Sequence, residues 1–124
     1  MMTVKYKVGR AKFGGEEKTF PKLVPGETVT GEQFQQKVAQ GAARGLADVV
    51  AVFIAMSEVL REELRDEQSV QVPGIGIFTL SLKGELDDDE RLIPQSAKLK
   101  VKFRPERDLT GDVNTDQSFE YVGD

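Results

Sequence analysis

The sequence predicts an α+β fold, in which a pair of helices packs on a small antiparallel β-sheet and extra strands precede the helices. Three observations support this prediction. Apolar residues recur at helical spacing between positions 30 and 66, apolar and polar residues alternate on both sides of that region, and glycine or proline turns separate the alternating runs. A chain of 124 residues is long enough for one domain with a core of its own.

Two strands are expected within residues 1–26, which form an N-terminal extension. Thr3 to Val8 alternates apolar and polar residues with the period of a half-buried strand. Gly14 and Gly15 form a turn, and Lys18 to Val24 returns as a second strand. Pro21 restricts this second strand to the edge of a sheet or to an irregular piece, because proline cannot donate a hydrogen bond to a neighbouring strand.

Two helices are expected next. Thr30 is a good N-cap, and Gln33 completes a capping box for a short helix that ends near Gln40. A longer helix runs from about Asp48 to about Asp66, and its wide apolar stripe favours contact with more than one neighbour, as in a dimer. A core helix of a monomer is the alternative. The stripe contains Val49, Val52, Phe53, Met56, Leu60 and Leu64.

The C-terminal half returns to the strand pattern. Residues 70–72 lead into a Pro-Gly turn, residues 76–82 alternate, and alternation resumes over residues 98–104. Pro105 ends that strand and can open a short helix. Residues 110–124 are polar and acidic, so they are expected to form a mostly flexible tail, with docking of Phe119, Tyr121 and Val122 as the alternative. A sheet this small beside two helices encloses little core within one chain, which favours dimerisation as the way to complete the core.

Charge is segregated along the chain, although the net charge is only −4. Residues 84–95 carry five acidic side chains and one basic one, residues 96–107 carry five basic and one acidic, and residues 108–124 carry five acidic and no basic. Blocks of this kind indicate separate electrostatic tasks for separate segments. The overall acidity therefore does not exclude binding of a polyanion by the basic segment.

The basic segment places its cations on one face of a strand. Alternate residues of a strand share a face and lie about 6.5–7 Å apart, which is on the scale of phosphate spacing along DNA. An ordinary solvated strand face is the alternative, since lysine is common at exposed sheet edges. The four cations are Lys98, Lys100, Lys102 and Arg104.

Composition argues against an enzyme. The chain has neither cysteine nor histidine, so disulfides, thiolate chemistry and imidazole catalysis are excluded. The acidic run at 87–90 matches no Ca²⁺-binding loop, and Gly74-Ile75-Gly76 lacks the third glycine of a dinucleotide fingerprint. We therefore expect no cofactor and no small-molecule substrate. With no membrane-spanning apolar run and no signal-peptide core, a cytoplasmic protein is expected.

Two short motifs resemble those of the HU/integration host factor family of bacterial histone-like, DNA-bending proteins. They are VQVPGIGIF at 70–78, where Ile75 replaces the family's aromatic residue, and KLKVKFRPERDL at 98–109. With the helix pair, the resemblance extends from about residue 30 to 109. The strand VKYKV at 4–8 resembles an HU-like subfamily common in Bacteroidetes.

The resemblance implies an HU-like domain over residues 1–109 and an intertwined dimer, with a second copy or with a paralogue. In the family, the sheets of the dimer form a saddle under double-stranded DNA, and two β-arms reach round the minor groove. Arg104 and Arg107 match family positions that contact phosphate, and Lys83 lies at the base of the arm. Ser81 matches another such position but is uncharged.

The arm departs from the family pattern. Residues 84–95 read GELDDDERLIPQ, where family arms are rich in arginine and lysine. Arg91 is the single cation of this segment, and Pro94 falls where the returning strand is expected rather than at a wedge-forming tip. The carboxylates would be repelled by DNA, so binding to the saddle is expected without bending of the family type.

The expected function is therefore non-enzymatic, largely sequence-independent DNA binding at the nucleoid. The alternative is an HU-fold interaction or assembly module that has lost DNA binding and whose acidic arm and tail engage a basic partner or cover its own saddle. Lys5 and Lys7 would add phosphate contacts if their strand extends the sheet, and the alternative is that they simply face solvent. The predicted DNA-binding residues are Lys5, Lys7, Lys83, Arg91, Lys98, Lys100, Lys102, Arg104 and Arg107.

Overall fold

The computed structural model describes residues 2–123 and has the mixed α+β architecture that the sequence predicts. In chain order the elements are β1 (Met2–Phe13), β2 (Glu16–Leu23), α1 (Gly31–Ala42), α2 (Leu46–Arg65), β3 (Val70–Val72), β4 (Gly76–Lys83), β5 (Lys98–Pro105), α3 (Arg107–Val113) and β6 (Gln117–Tyr121).

The chain divides into two compact units rather than the single domain expected from its length. The first unit joins the segment up to Thr30 with the segment that begins at Gly111, and the second spans Gly31–Thr110. Residues from Gly111 onward thus belong with the N-terminal strands. The expected HU-like domain over residues 1–109 stays a prediction.

The first unit is a three-stranded sheet in the order β2-β1-β6. The β1–β2 hairpin is antiparallel and turns at Gly14 and Gly15, whose φ angles of +59° and +86° lie in the left-handed region that glycine tolerates best. Both strands begin earlier than expected, and β1 runs five residues beyond Val8 to Phe13. Pro21 lies in β2 at the edge of the sheet, as predicted.

The expectation of a flexible tail over residues 110–124 is wrong for most of that segment. Strand β6 pairs in parallel with β1, with Tyr121 beside Tyr6 and ring centroids 5.7 Å apart. The amide of Val122 donates to the carbonyl oxygen of Tyr6 at 2.9 Å. The exposed edge of β1 offers backbone partners, and Tyr121 supplies an aromatic contact, so pairing overrides the polar composition.

The helix pair of the second unit is confirmed, with small shifts at its ends. Helix α1 ends at Ala42, two residues later than expected, and α2 begins at Leu46, two residues earlier. The rings of Phe34 and Phe53 meet edge to face, with centroids 5.9 Å apart, and join the two helices. The small core of this unit includes Ala39, Val49 and Leu64.

The sheet of the second unit is antiparallel in the order β3-β4-β5. Its ladder pairs Phe78 with Phe103, whose ring centroids are 4.9 Å apart, and Leu80 with Val101. Paired residues share a face, so these side chains form one apolar face of the sheet. That face lies beside α2, and Leu64 of α2 borders a groove with Leu80 and Leu99.

The connection expected to be a β-arm is a short, folded loop. A single bridge pairs Leu86 with Leu92, and the amide of Asp87 donates to the carbonyl oxygen of Arg91 at 2.8 Å. Pro94 begins a 3₁₀-helix over Pro94–Ser96, so its expected place in the returning strand is wrong. A proline at the first position of a helical turn loses no hydrogen bond, because that amide has no partner within the turn.

Among residues 2–123, no helix has the length and apolar character required to span a membrane.

Candidate nucleic-acid interface

The polar face of the sheet β3-β4-β5 brings most of the predicted site together. The β4–β5 register pairs Lys83 with Lys98, Ser81 with Lys100 and Thr79 with Lys102. Residues directly opposite each other in an antiparallel ladder project to the same side, so these cations share one face. The predicted common face of the β5 cations is confirmed, and Lys83 of β4 joins it.

We call this surface the basic face. Arg104 completes it opposite Ile77, which in turn pairs with Gln71 of β3. Within the described part of the chain, every charged side chain that the register places on this face is positive. Its members are Gln71, Ile77, Thr79, Ser81, Lys83, Lys98, Lys100, Lys102 and Arg104.

The cations on the basic face lie close together. Neighbours on one strand are about 7 Å apart and directly opposed residues about 5 Å apart in an antiparallel sheet. Lys83 and Lys98 are directly opposed, an arrangement of like charges that is unfavourable in isolation. A polyanion bound across the face would relieve this repulsion, because each phosphate can lie between two cations.

Arg107 lies at one end of the basic face. It is the first residue of α3 and borders a groove of about 360 Å³ together with Gln71 and Arg104. Glu106 also lines this groove, and its amide donates to the carbonyl oxygen of Ile75 at 2.8 Å. Arg107 therefore adds a cation at this end of the sheet, beside one carboxylate.

Arg91 is held inside the acidic loop and is not part of the basic face. Its guanidinium Nη1 donates to the carbonyl oxygen of Asp89 at 3.3 Å. Its backbone amide donates to Oδ1 of Asp87 at 3.0 Å, and the amide of Asp89 donates to the same oxygen at 2.9 Å. The predicted site residue Arg91 thus stabilises the fold of its own loop.

Lys5 and Lys7 belong to β1, which lies in the sheet of the first unit. The condition for their joining the basic face, that β1 extends its sheet, is not met, because the two sheets have separate strand orders. The pairing partners of β1 are β2 and β6, at either side of it. Strand periodicity locates a strand but does not specify which sheet it joins.

Sequence reasoning noted Ser81 as an uncharged match to a phosphate-contacting position of the family but overlooked Thr79, the other hydroxyl residue of the basic face. Thr79 and Ser81 lie directly opposite Lys102 and Lys100, where their small hydroxyl side chains leave the cations accessible. The signal was present in the alternation of Thr79, Ser81 and Lys83 with apolar residues of β4. Hydroxyl groups can also donate to phosphate oxygens.

Comparison with known proteins identifies the fold. A family model described as "HU domain fused to wHTH, Ig, or Glycine-rich motif" matches residues 2–121. One similar structure is that of a bacterial protein from Bacteroides vulgatus ATCC 8482 that is proposed to bind DNA. The superposition covers 100% of the present chain and 50% of the Bacteroides vulgatus chain, with 13% identity and a TM-score of 0.76. A search of curated proteins gives no match.

Two HU structures align with 68% of this chain. A point variant of HU from Thermotoga maritima is covered over 97% of its length, with 20% identity and a TM-score of 0.51. Anabaena HU, taken from a cocrystal structure with DNA, is covered over 96%, with 18% identity and a TM-score of 0.55.

With identities of 13–20%, these superpositions show a shared fold and nothing more. The present chain spans half the length of the Bacteroides vulgatus protein. The family assignment rests on the sequence model, which accounts for all but the first residue and the last three. The chain therefore belongs to the HU-HIG family, whose members carry an HU domain of the bacterial histone-like type.

Proposed function

We propose that this chain is a non-enzymatic, histone-like DNA-binding protein that binds the phosphates of duplex DNA through the basic face. One observation carries the proposal. Although the net charge of the chain is −4, the described residues contribute five cations and no carboxylate to the polar face of β3-β4-β5. The Anabaena HU structure to which the fold is similar comes from a DNA cocrystal, which supports the same ligand.

The composition of the basic face favours binding that depends little on base sequence. Lysine ammonium groups and hydroxyl groups suit phosphate oxygens, and phosphate contacts fix position without reading bases. The face is part of a sheet whose backbone is held by ladder hydrogen bonds on both sides of β4. Binding through phosphates rather than bases supports a role at the nucleoid, where one protein must bind many different sequences.

Bending of the duplex by an arm is not part of this proposal. The loop of residues 84–95 carries five carboxylates, and Arg91 is bonded within it. Pro94 lies in the 3₁₀-helix just before β5 rather than at an extended tip. A wedge must reach the minor groove and insert between base pairs, which an acidic, folded loop is poorly suited to do.

A dimer accounts for the apolar surface that one chain leaves exposed. On α2, Val52 is 56% exposed and Val59 is 53% exposed, which is unusual for a core helix. An open apolar groove of about 590 Å³ lies between α2 and the sheet, lined by residues such as Met56, Leu60 and Phe78. A second copy or a paralogue of this chain would cover these residues and bring two basic faces together as a saddle.

The first test is a fluorescence anisotropy titration of a labelled duplex of about 30 base pairs at several salt concentrations. Binding should weaken steeply with salt, because each neutralised phosphate contributes about 0.9 to the slope of log K against log salt. The double variant Lys100→Glu/Lys102→Glu should abolish binding. Its matched control, Lys12→Glu/Lys37→Glu, changes charge equally at positions on β1 and α1 and should retain most of it.

A milder variant measures how many phosphates the basic face neutralises. Lys100→Gln/Lys102→Gln removes two cations from each chain and four from a dimer, so the salt slope should fall by about 3 to 4. If the control Lys12→Glu/Lys37→Glu loses as much affinity as Lys100→Glu/Lys102→Glu, net charge, and not the basic face, drives binding. Absence of duplex binding at low salt would favour the interaction-module alternative.

A further inference from the structure

The sheet of the first unit has a second basic surface that the proposed function does not use. The β1–β2 register pairs Lys7 with Lys22 and Ala11 with Lys18, and Lys5 lies two residues before Lys7 on the same side of β1. Alternate residues of a strand share a face, so four lysines project to one side of this sheet. We call this side the N-terminal basic face.

An aromatic ring lies at the centre of the N-terminal basic face. Phe20 is directly opposite Gly9, between the Lys7–Lys22 pair and the Ala11–Lys18 pair. Its Cε2 and Cζ atoms lie 2.5 and 2.6 Å from the position that a Cβ atom on Gly9 would occupy, so the ring covers the backbone of β1. Gly9 is buried, while Phe20 remains 43% exposed.

A second aromatic residue lies further along the same face. Phe13 is four residues after Gly9 on β1, which places it on the same side at about 14 Å along the strand. It is 62% exposed. The face thus offers two accessible rings with lysines between and beside them, along a line that an extended chain could follow.

The carboxylates of this sheet lie at the ends of the face or on the other side. Glu16 is opposite Phe13 near the turn, and Glu120 is opposite Lys5 near the other end. Glu17 is on the opposite side, where its Oε1 lies 3.6 Å from Nη1 of Arg10. The positions next to Phe20 are therefore basic or neutral among the residues that the structure describes.

We propose that the N-terminal basic face binds single-stranded nucleic acid, with an unpaired base stacked on Phe20 and phosphates bound by Lys7, Lys18 and Lys22. Stacking on an exposed ring requires a base with a free face, and a duplex keeps its base faces inside the helix. Positively charged surfaces that also present aromatic rings are suited to single strands for this reason. The ligand thus differs from the duplex assigned to the basic face of β3-β4-β5.

The test compares two labelled probes on the full chain by anisotropy at low salt: an oligothymidine of about 15 nucleotides and a duplex of the same length. Phe20→Leu keeps an apolar cover over Gly9 but removes the ring, and it should weaken oligothymidine binding about fivefold to a hundredfold. Phe20→Tyr keeps an aromatic ring and should bind oligothymidine as the parent does. Neither variant should change duplex binding by more than about twofold, because the ring makes no contact with phosphates.

Charge variants separate the two surfaces. Lys18→Gln/Lys22→Gln should weaken oligothymidine binding and lower its salt dependence. The matched control Lys12→Gln/Lys37→Gln should not, since Lys12 projects to the other side of the hairpin. Lys100→Glu/Lys102→Glu, which tests the proposed function, should abolish duplex binding and leave oligothymidine binding intact, so either proposal can fail without the other.

Three results would overturn this proposal. The first is an oligothymidine affinity in Phe20→Leu equal to that of the parent, with an unchanged circular dichroism spectrum and urea transition. The second is equal weakening of duplex and single strand, which would make the face an additional duplex contact. The third is an absence of oligothymidine binding by the parent protein at low salt.

Discussion

The close approach of β4 and β5 depends on the absence of a side chain at Gly76. Gly76 is buried opposite Pro105 at the end of their ladder. A Cβ atom at this position would collide with the backbone carbonyl oxygen of Arg104 and would lie 2.7 Å from Cε1 of Phe103. A side chain can rotate away from such a contact, but a ladder carbonyl cannot move without disturbing the sheet that carries the basic face.

Gly76→Ala should therefore lower the free energy of unfolding by about 1–3 kcal/mol, the usual cost of overpacking. Urea denaturation followed by circular dichroism measures this change. Gly41→Ala is the matched control, because Gly41 is exposed in α1 with nothing within 4 Å of an added Cβ. It should raise stability by about 0.5–1 kcal/mol through helix propensity. A Gly76→Ala protein as stable as its parent would contradict the packing described for this position.

Among the elements, the acidic loop of residues 84–95 is the one that most separates this chain from the arm expected by resemblance. Asp87 accepts two backbone amide hydrogen bonds through Oδ1, so its carboxylate has a structural role. Asp88 and Asp89 are exposed. The loop begins directly after Lys83 and ends three residues before Lys98, at the end of the basic face where these two lysines pair. Its carboxylates would therefore lie near a bound duplex.

Neutralising two of these carboxylates should strengthen duplex binding. For Asp88→Asn/Asp89→Asn we expect about a twofold to fivefold gain at low salt, because unit charges about 4 Å apart in water repel by about 1 kcal/mol. The gain should shrink at physiological salt, where the Debye length is about 8 Å. Anisotropy titrations measure it, with Glu62→Gln/Glu63→Gln on α2 as the control of equal charge. A gain of the same size in that control would show that only net charge matters.

At the scale of the whole molecule, the core of the second unit is small, so we expect its stability to depend mainly on association with a second chain. The described core contains few buried apolar residues, while Ile54, Val59 and Leu99 are 55%, 53% and 68% exposed. A single chain of this kind gains little from burial, and a partner that covers the α2 stripe would add most of what is missing. The proposed saddle needs the same association, since one chain supplies half of it.

The parent protein should therefore sediment at twice the chain mass of 13.7 kDa. Val59→Glu should shift it to the monomer, because a carboxylate would be buried without a partner in the interface. Gln36→Glu, at an exposed position of α1, should remain dimeric. The urea midpoint of the parent should also rise with protein concentration. A monomeric parent at micromolar concentration would refute the dimer and leave each basic face to act alone.

Much of the candidate site could be predicted from local sequence. The alternation of cations over residues 98–104 placed four of them on one face, and the register confirms that placement. Lys83 was predicted only through resemblance, because its position on the same face depends on how β4 pairs with β5. For Lys5 and Lys7, local sequence left open which sheet their strand joins, and β1 lies in the other sheet. Their duplex-binding role stays a prediction, as does that of Arg107.

The sequence by itself determined most of the elements, because strand and helix periods are local properties. The end of α1 and the start of α2 were each predicted to within two residues, and the hairpins β1–β2 and β4–β5 were expected. Only the tertiary structure decided how the strands combine. β6 pairs with β1 more than a hundred residues away, and the two sheets remain separate. Backbone hydrogen bonding between strands carries no local sequence code, so an acidic segment that reads as a tail can complete a sheet when an edge is available.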